Sequence, residues 1–358
     1  MNAAVMSLGS KSSLMILEEM KKYFDAVDNI DLRDVEVNLG GAGKLNVLYQ
    51  GNQLPQYGCI YARGSFRYAT LLRSVTLALH RSSYMPIKAE TFTLGHDKLL
   101  THLALQHFSI PMPATYLASS TRAAKKILNE VTYPIVLKFP HGTGGKGVMF
   151  AESYAAASSM LDALFALNQP FLIQEYIETG GVDVRAVVVG DKVVASMKRK
   201  AVRGEMRANI HAGGTGQSVV LDEKTKRIAI DTAISIGADI CAVDMLESPK
   251  GPVVIEANLS PGLQGITKAT SINVADKIAK YLSEKSEIFS ARDRDEATQK
   301  IFEDLGLSGE IATQIITNLD FRANRILLPK IATDISQFSG KDEVIVKVEK
   351  GKLVVEKA

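Results

Sequence analysis

From Cys241 to Asn258 the chain has two apolar runs around a Ser248-Pro-Lys-Gly-Pro252 break, and each run holds a carboxylate: Asp244 in the first, Glu256 in the second. Two prolines and a glycine in so short a break halt both helix and strand, so the runs are predicted to fold back on each other as an antiparallel hairpin. That pairing brings Asp244 towards Glu256. Side chains alternate along a strand, which puts Glu256 and Asn258 on one face with Val254 beside them, and Ile255 and Ala257 on the other. Interior carboxylates need a cation or donors to offset their burial, and the all-oxygen set Asp244, Glu256 and Asn258 suits Mg²⁺ or Mn²⁺. Read this way, an Asp244→Asn change weakens metal binding more than stability. The alternative is a hairpin whose acids cap loops or pair with Lys and Arg.

Such a hairpin needs a large core around it, and 358 residues are enough for two or three domains. A hydrophobic content of 46% against 23% charged residues excludes wholesale disorder. The net charge of +3, with no long basic run, gives no support to non-specific nucleic-acid binding. Cys59 and Cys241 are too few for a disulfide scaffold or a cysteine metal site, which points to a reducing, cytoplasmic setting. No basic leader precedes a long apolar region, and no run approaches membrane-spanning length.

Along the chain, Ala3 to Leu8 reads as a strand, Ser10-Lys-Ser as a loop and Ser13 to Phe24 as a helix; short strands follow at Leu45 to Tyr49 and Cys59 to Ala62. The glycine-rich Leu39 to Lys44 lacks the ending of a phosphate loop and reads as a turn. The section to about Met85 is expected to be a small α/β domain with parallel strands. Just beyond its last strand, Arg63 can hold a substrate carboxylate by a bidentate pair; the alternative is a surface loop with ordinary arginines. A helix is expected from Asp97, with Lys98 in its first turn and Pro111 and Pro113 ending it.

Further on, the strand Tyr133 to Pro140 ends in Lys138 and runs into His141-Gly-Thr-Gly-Gly-Lys146-Gly. Gly144 and Gly145 permit close backbone approach to phosphate oxygens, Lys138 offers charge from a rigid strand, and Lys146 is recruited as the loop closes. The loop is expected to join two strands as a nucleotide lid; a merely mobile hairpin is the alternative. Next, the strand Phe171 to Ile177 can set the backbone of Glu175, Tyr176 and Ile177 against adenine. Asp183 can accept from a ribose hydroxyl or simply cap a turn, and Arg185 shares its face. Lys198-Arg-Lys200, Arg203, Arg207, Asn209 and His211 form an anion site or a solvated charge run, without the interleaved aromatics of a nucleic-acid groove.

Together, Val136-Leu-Lys138, Gly142 to Gly147, Gln174-Glu-Tyr-Ile177, Asp183-Val-Arg185, Arg207-Ala-Asn209, Val243-Asp244 and Glu256-Ala-Asn258-Leu-Ser-Pro-Gly-Leu-Gln-Gly265 resemble the ATP-grasp superfamily, and within it the RimK-type glutamate ligases, over residues 1 to 285. The resemblance implies an α/β and α+β ATP-grasp fold. It places Lys98, Lys138, Arg207 and Asn209 at phosphates, Glu175 to Ile177 at adenine, Asp183 at ribose, and Asp244, Glu256 and Asn258 on two divalent ions. Arg185 and Arg203 become the substrate or intermediate contacts. His141, Ala208 and Ala212 depart from the family pattern as an acid, a serine and a basic residue replaced. They spare the metal set and leave the acceptor open. The implied reaction is ATP-dependent carboxylate–amine ligation through an acyl phosphate, the amine coming from glutamate or another amino acid and the carboxylate from a peptide or small cofactor. A non-catalytic, nucleotide-dependent regulator on the same fold is the other reading.

The expected division is 1–90, a small α/β domain; 91–285, the nucleotide and metal-binding region; and 286–358, an appendage. From Ala291 onward 11 Lys and Arg face 12 Asp and Glu, a balance that disfavours a basic DNA clamp. Helices are expected at Arg292 to Gly306 and Glu310 to Asn318, then β structure with a turn at Glu349-Lys-Gly-Lys352. These last segments weakly resemble AbrB-like DNA-binding domains. Assembly into a homo-oligomer is the main expectation for the tail and DNA binding the lesser one.

Overall fold

The computed structural model of the chain describes residues 1–40, 45–142, 147–201, 215–304, 320–322, 325–327, 342–349 and 352–357. It divides into two units, Met1–Arg294 and Asp295–Ala358. Thr143, Gly144, Gly145 and Lys146, and the whole of 202–214 with Arg203, Arg207, Asn209 and His211, lie outside the described residues, as do residues 41–44, where a turn is expected, and the helix expected over 310–318.

The first unit opens with β1 (Asn2–Ser7), α1 (Lys11–Met20) and β2 (Ala26–Asp31). Helix α1 starts at Lys11, two residues ahead of the expected Ser13, because the Ser10 side chain accepts from the Ser13 amide and caps the helix. Next come β3 (Val35–Leu39), β4 (Leu45–Tyr49), β5 (Asn52–Gln53), β6 (Cys59–Ala62) and α2 (Ala69–Leu79). The sheet is parallel, as expected, in the order β2-β1-β6: β1 pairs with β6 and with β2, a strand that the sequence reading does not single out. The strand at Leu45 to Tyr49 does not join them; it pairs antiparallel with β3 and β5 in a sheet of its own.

The middle of the unit holds α3 (Ala89–Leu94), α4 (Lys98–His107), β7 (Thr115–Tyr116), α5 (Thr121–Glu130), β8 (Ile135–Lys138), β9 (Val148–Ala151), α6 (Tyr154–Ala166) and β10 (Leu172–Glu175). Asp97 caps α4 by accepting from the Leu99 and Leu100 amides. The antiparallel sheet β7-β10-β8-β9 has its own core, in which Leu128, Ile135, Leu161 and Phe171 meet. The glycine-rich loop joins its strands β8 and β9.

The rest of the unit is β11 (Val182–Val189), β12 (Lys192–Lys200), β13 (Thr215–Ser218), α7 (Glu223–Ile236), β14 (Ile240–Ser248), β15 (Gly251–Asn258), α8 (Gln264–Thr270) and the part of α9 (Val274–Asp304) up to Arg294. The strands form one antiparallel sheet, β13-β12-β11-β14-β15, whose central strands are apolar enough to be buried on both faces. Gly237 ends α7 at φ 74°, the left-handed turn that lets the chain enter β14 at once. Hairpin β14–β15 closes through Pro249-Lys250, with Ser248 opposite Gly251 at φ 112°.

In the second unit, β16 (Asp320–Arg322) pairs with β17 (Arg325–Leu327), and β18 (Val344–Glu349) pairs with β19 (Lys352–Lys357). The last hairpin turns between Glu349 and Lys352, where the sequence puts it.

Candidate active site

The register of the five-stranded sheet lines up its charges. Arg185 on β11 stands opposite Asp244 on β14, Asp244 opposite Glu256 on β15, and Ala242 opposite Asn258. One step along, Asp183 on β11 faces Arg199 on β12. Residues opposite one another project from the same face, so this face is a charged floor, and it borders a cavity of about 690 Å³. None of the α7 residues lines that cavity.

Arg185 holds Asp244 in a bidentate pair, Nε to Oδ1 and Nη2 to Oδ2, both at 2.7 Å. Arg199 does the same to Asp183 at 2.6 Å for both bonds and reaches across to Asp244 Oδ2 at 2.9 Å. Asp183, Arg199 and Asp244 are all buried. Burial pushes the Asp244 carboxyl up, but the two guanidiniums outweigh it and hold the group down at about 2. Asp183, pushed up by burial, has Arg199 as its main counterweight. The pairing of acids with arginines, an alternative in the sequence, is thus realised for Asp244, together with its place beside Glu256.

One sequence expectation is overturned here. A β-bulge between Asp244 and Met245 sets Asp244 opposite Glu256 but Met245 opposite Val254, leaving Ile255 as the extra residue. Val254 therefore turns away from Glu256 and is buried in the core at 0% exposure, while Ile255 borders the cavity. Simple alternation assigned these two residues the other way round.

The lysines come from the opposite side. Lys138, at the end of β8, donates Nζ to Gln174 Oε1. Loss of hydration lowers its pKa to about 8, with Glu256 pulling upward and Lys98 downward. Gln174 is itself fixed: its Nε2 donates to His102 Nε2 at 3.0 Å and to Thr115 Oγ1 at 2.8 Å. His102 Nδ1 meets the Lys98 carbonyl at 2.6 Å, so the ring is neutral with its proton on Nδ1, and burial lowers its pKa. Lys98 Nζ donates to the Gly142 carbonyl at 3.2 Å, tying α4 to the start of the glycine-rich loop. At the far end, Tyr176 and Ile177 border the cavity, and Glu175 is locked by its carboxylate accepting from the Ala114 amide at 3.1 Å.

Of the residues picked from the sequence, Lys98, Lys138, Glu175, Tyr176, Ile177, Asp183, Arg185, Asp244, Glu256 and Asn258 border this one cavity. Sequence reasoning misses His102, takes Arg199 only as part of the Lys198-Arg-Lys200 cluster, and includes Gln174 in a motif without giving it a role. Arg199 is hidden inside a Lys-Arg-Lys run, although alternation from Met197 gives the signal; Gln174 and His102 each stand beside one other polar residue in an otherwise apolar stretch, with no spacing that marks them. Arg63, for which a surface loop was the alternative, is instead buried at the cavity wall.

A divalent cation fits the floor by the chemistry of its donors. Glu256 and Asn258 have no hydrogen-bond or ion-pair partner among the described residues, so a carboxylate and an amide oxygen are free beside the Asp244 carboxylate. Oxygen-only sets of this kind select Mg²⁺, Ca²⁺ or Mn²⁺ over softer metals.

Residues 95–282 match the model of the RimK-like ATP-grasp domain. A probable alpha-L-glutamate ligase of Shewanella loihica (strain ATCC BAA-1088 / PV-4) is 37% identical over 297 residues, covering 80% of this chain and 97% of the relative. A second, from Vibrio atlanticus (strain LGP32), is 35% identical over 274 residues, covering 75% and 90%. Among solved structures, the ATP-grasp ligase PsnB, complexed with a phosphomimetic variant of a minimal precursor, Mg and ADP, superposes with a TM-score of 0.64 at 17% identity, covering 80% of this chain and 98% of PsnB. The RimK domain protein ATP-grasp from Sphaerobacter thermophilus DSM 20745 gives 0.61 at 20% identity, covering 79% and 99%. A domain match over more than half the chain, near-complete coverage of curated relatives and a shared fold lead to one conclusion: this protein belongs to the RimK-like ATP-grasp family.

Proposed function

We propose that this chain is an ATP-dependent ligase that joins the amine of L-glutamate to a carboxylate on a peptide or small-cofactor acceptor through an acyl phosphate. The observation that carries it is the floor row Arg185, Asp244, Glu256 facing Lys138 across one cavity. The relatives named as probable alpha-L-glutamate ligases support glutamate, and PsnB complexed with precursor peptide PsnA2 and AMPPNP supports a peptide acceptor.

A carboxylate is a poor electrophile until its oxygen carries a leaving group. The acceptor carboxylate oxygen attacks the γ-phosphorus of ATP, ADP leaves with the bond pair, and a mixed anhydride forms. The amine nitrogen then bonds to the acyl carbon as the C–O bond to phosphate breaks; phosphate takes that pair, and the nitrogen's surplus proton goes to phosphate or solvent. In this reading Lys98 and Lys138 hold phosphate oxygens, and Glu175 to Ile177 border adenine. Asp183 is at the ribose, and Arg185 steadies the acyl phosphate. Asp244, Glu256 and Asn258 would hold one or two Mg²⁺ or Mn²⁺ ions. When bound, the metal neutralises charge on the transferring phosphoryl group. Gly144, Gly145, Lys146, Arg203, Arg207 and Asn209 keep their sequence-based roles in the lid, at phosphate and at substrate.

We keep the division 1–90, 91–285 and 286–358 as the functional one, with the last part serving assembly into a homo-oligomer. Two buried free thiols, Cys59 and Cys241, suit a cytoplasmic setting. The test is a reaction with ATP, Mg²⁺, glutamate and a panel of peptide and small-cofactor acceptors, followed by mass spectrometry. Glutamate-sized additions with ADP released only when both partners are present support the ligase. ATP turnover or binding that ignores both points to a regulator.

A further inference from the structure

Arg63 is a buried charge that the reaction above leaves unused. It follows β6, is 3% exposed, and still borders the cavity. Its Nε donates to Ser13 Oγ at 3.2 Å, Nη1 to the Tyr61 hydroxyl at 3.0 Å and Nη2 to the Pro261 carbonyl at 2.8 Å. All three acceptors are neutral, and among the described residues no carboxylate comes within ion-pair distance of it. A guanidinium withdrawn from water without a counter-anion is costly, which is why buried arginines are normally paired. The three bonds also fix its plane and leave one N–H on each terminal nitrogen, the two donors that a carboxylate engages in a bidentate pair.

The place in the fold agrees. Strand β1 lies between β2 and β6; its chain leaves through α1 towards β2, and Arg63 comes off the end of β6 on the other side. That crevice, at the carboxyl ends of parallel strands where the winding reverses, is where open sheets of this kind take ligands. Ser12 and Ser13, in the first turn of α1, form the neighbouring wall.

Two anions are available in the proposed reaction: nucleotide phosphate and substrate carboxylate. The phosphate side has cations of its own in Lys98 and Lys138, and none of Arg63's bonds goes to that group. Its bond to Pro261 instead places it three residues past Asn258 along the chain, a reach of at most about 10 Å. An anion held there sits next to the reacting centre without being part of it. In an amino acid the α-carboxylate and the amine share one carbon, so fixing the first aims the second.

Building on the ligase reading, we propose that Arg63 binds the α-carboxylate of the amino acid that supplies the amine. The experiment compares wild type with Arg63→Lys, using L-glutamate, its α-amide and its γ-amide, with KM values for amino acid and for ATP measured separately. Arg63→Lys keeps the charge and loses the fork, so the KM for glutamate is expected to rise about 10- to 100-fold while the KM for ATP stays within about twofold. In wild type the α-amide should suffer a similar loss, the γ-amide should not share it, and in Arg63→Lys the α-amide should lose nothing more, because both changes remove one contact. Fully additive losses, an unchanged KM for glutamate, or a wild type indifferent to the α-amide overturn the assignment. Should Arg63→Lys fail to bind ADP, marking a folding defect, the wild type's discrimination between the two amides decides. Calorimetric titration of glutamate into protein holding ADP and Mg²⁺ separates this inference from the ligase reading. Binding that Arg63→Lys weakens upholds the subsite even if no amide product is found, and absence of glutamate binding to wild type removes it.

Discussion

A lysine drawn out of water, with a neutral amide as its hydrogen-bond partner, releases its proton readily, and Lys138 at about pKa 8 is in that position. As pH rises through 8, nucleotide-free protein is expected to lose ATP affinity, which a titration of binding against pH would show; a flat profile from 7 to 9.5 would contradict it. Stability runs the other way. The folded pKa lies below the unfolded value of about 10.4, so the buried charge costs stability below pH 8 and the cost fades as pH climbs towards 10. Lys138→Met should therefore melt at a higher temperature than wild type while binding ATP about 10- to 100-fold more weakly. The acids divide in the same manner. Asp244 pairs with buried Arg199 and half-buried Arg185, so Asp244→Asn strands their charge and is expected to cost about 3–5 kcal/mol of stability, a folding lesion as well as the metal lesion that the sequence suggests. Among the described residues Glu256 makes no ion pair, only a through-space attraction to Lys138, so Glu256→Gln should change stability by no more than about 1 kcal/mol while removing Mg²⁺-dependent turnover. Denaturant melts run beside activity would separate the two.

At the scale of elements, the hairpin β14–β15 is where the sequence is most and least readable. Its existence, its turn and the meeting of Asp244 with Glu256 follow from two apolar runs and a Pro-Gly break. The bulge at Ile255 does not, because an extra residue in one strand leaves no mark in hydrophobicity: Val253, Val254 and Ile255 are interchangeable to any alternation rule. Arg199 was masked for a related reason. A charged run looks solvated until the partner strand supplies Asp183, and strand pairing is non-local. The bulge also makes a prediction of its own. Removing Ile255 would let Met245–Val254 and Asp244–Glu256 pair without interruption, so the shortened protein should still fold, but the bulge's added twist would be lost and Glu256 re-aimed. Retained melting cooperativity with lost nucleotide-dependent metal binding is the expected result; an unfolded chain would mean that the bulge is needed for the sheet itself.

For the whole molecule, the second unit presents apolar side chains to solvent along its last hairpin, with Val348 at 73% exposure and Ile345, Val346 and Leu353 near one half. A short two-stranded hairpin is marginal alone, so a second copy of the chain is the proposed cover. Ending the chain after Arg294, where the first unit ends, should lower the mass seen in light scattering and leave ADP binding intact. An unchanged mass, or salt-sensitive duplex binding by the tail, would favour the DNA reading. In the first unit, the floor of the cavity has a consequence for how ligands arrive. Arg185 and Arg199 against Asp183 and Asp244 make a set of zero net charge, satisfied within itself. A dication offered alone must take Asp244 from its arginines and leave them wanting an anion; a polyphosphate offered alone faces carboxylates that repel it. If Asp244 holds the metal as proposed, each relieves what the other disturbs when both are offered, so metal and nucleotide binding would be coupled, each raising the other's affinity by the same factor.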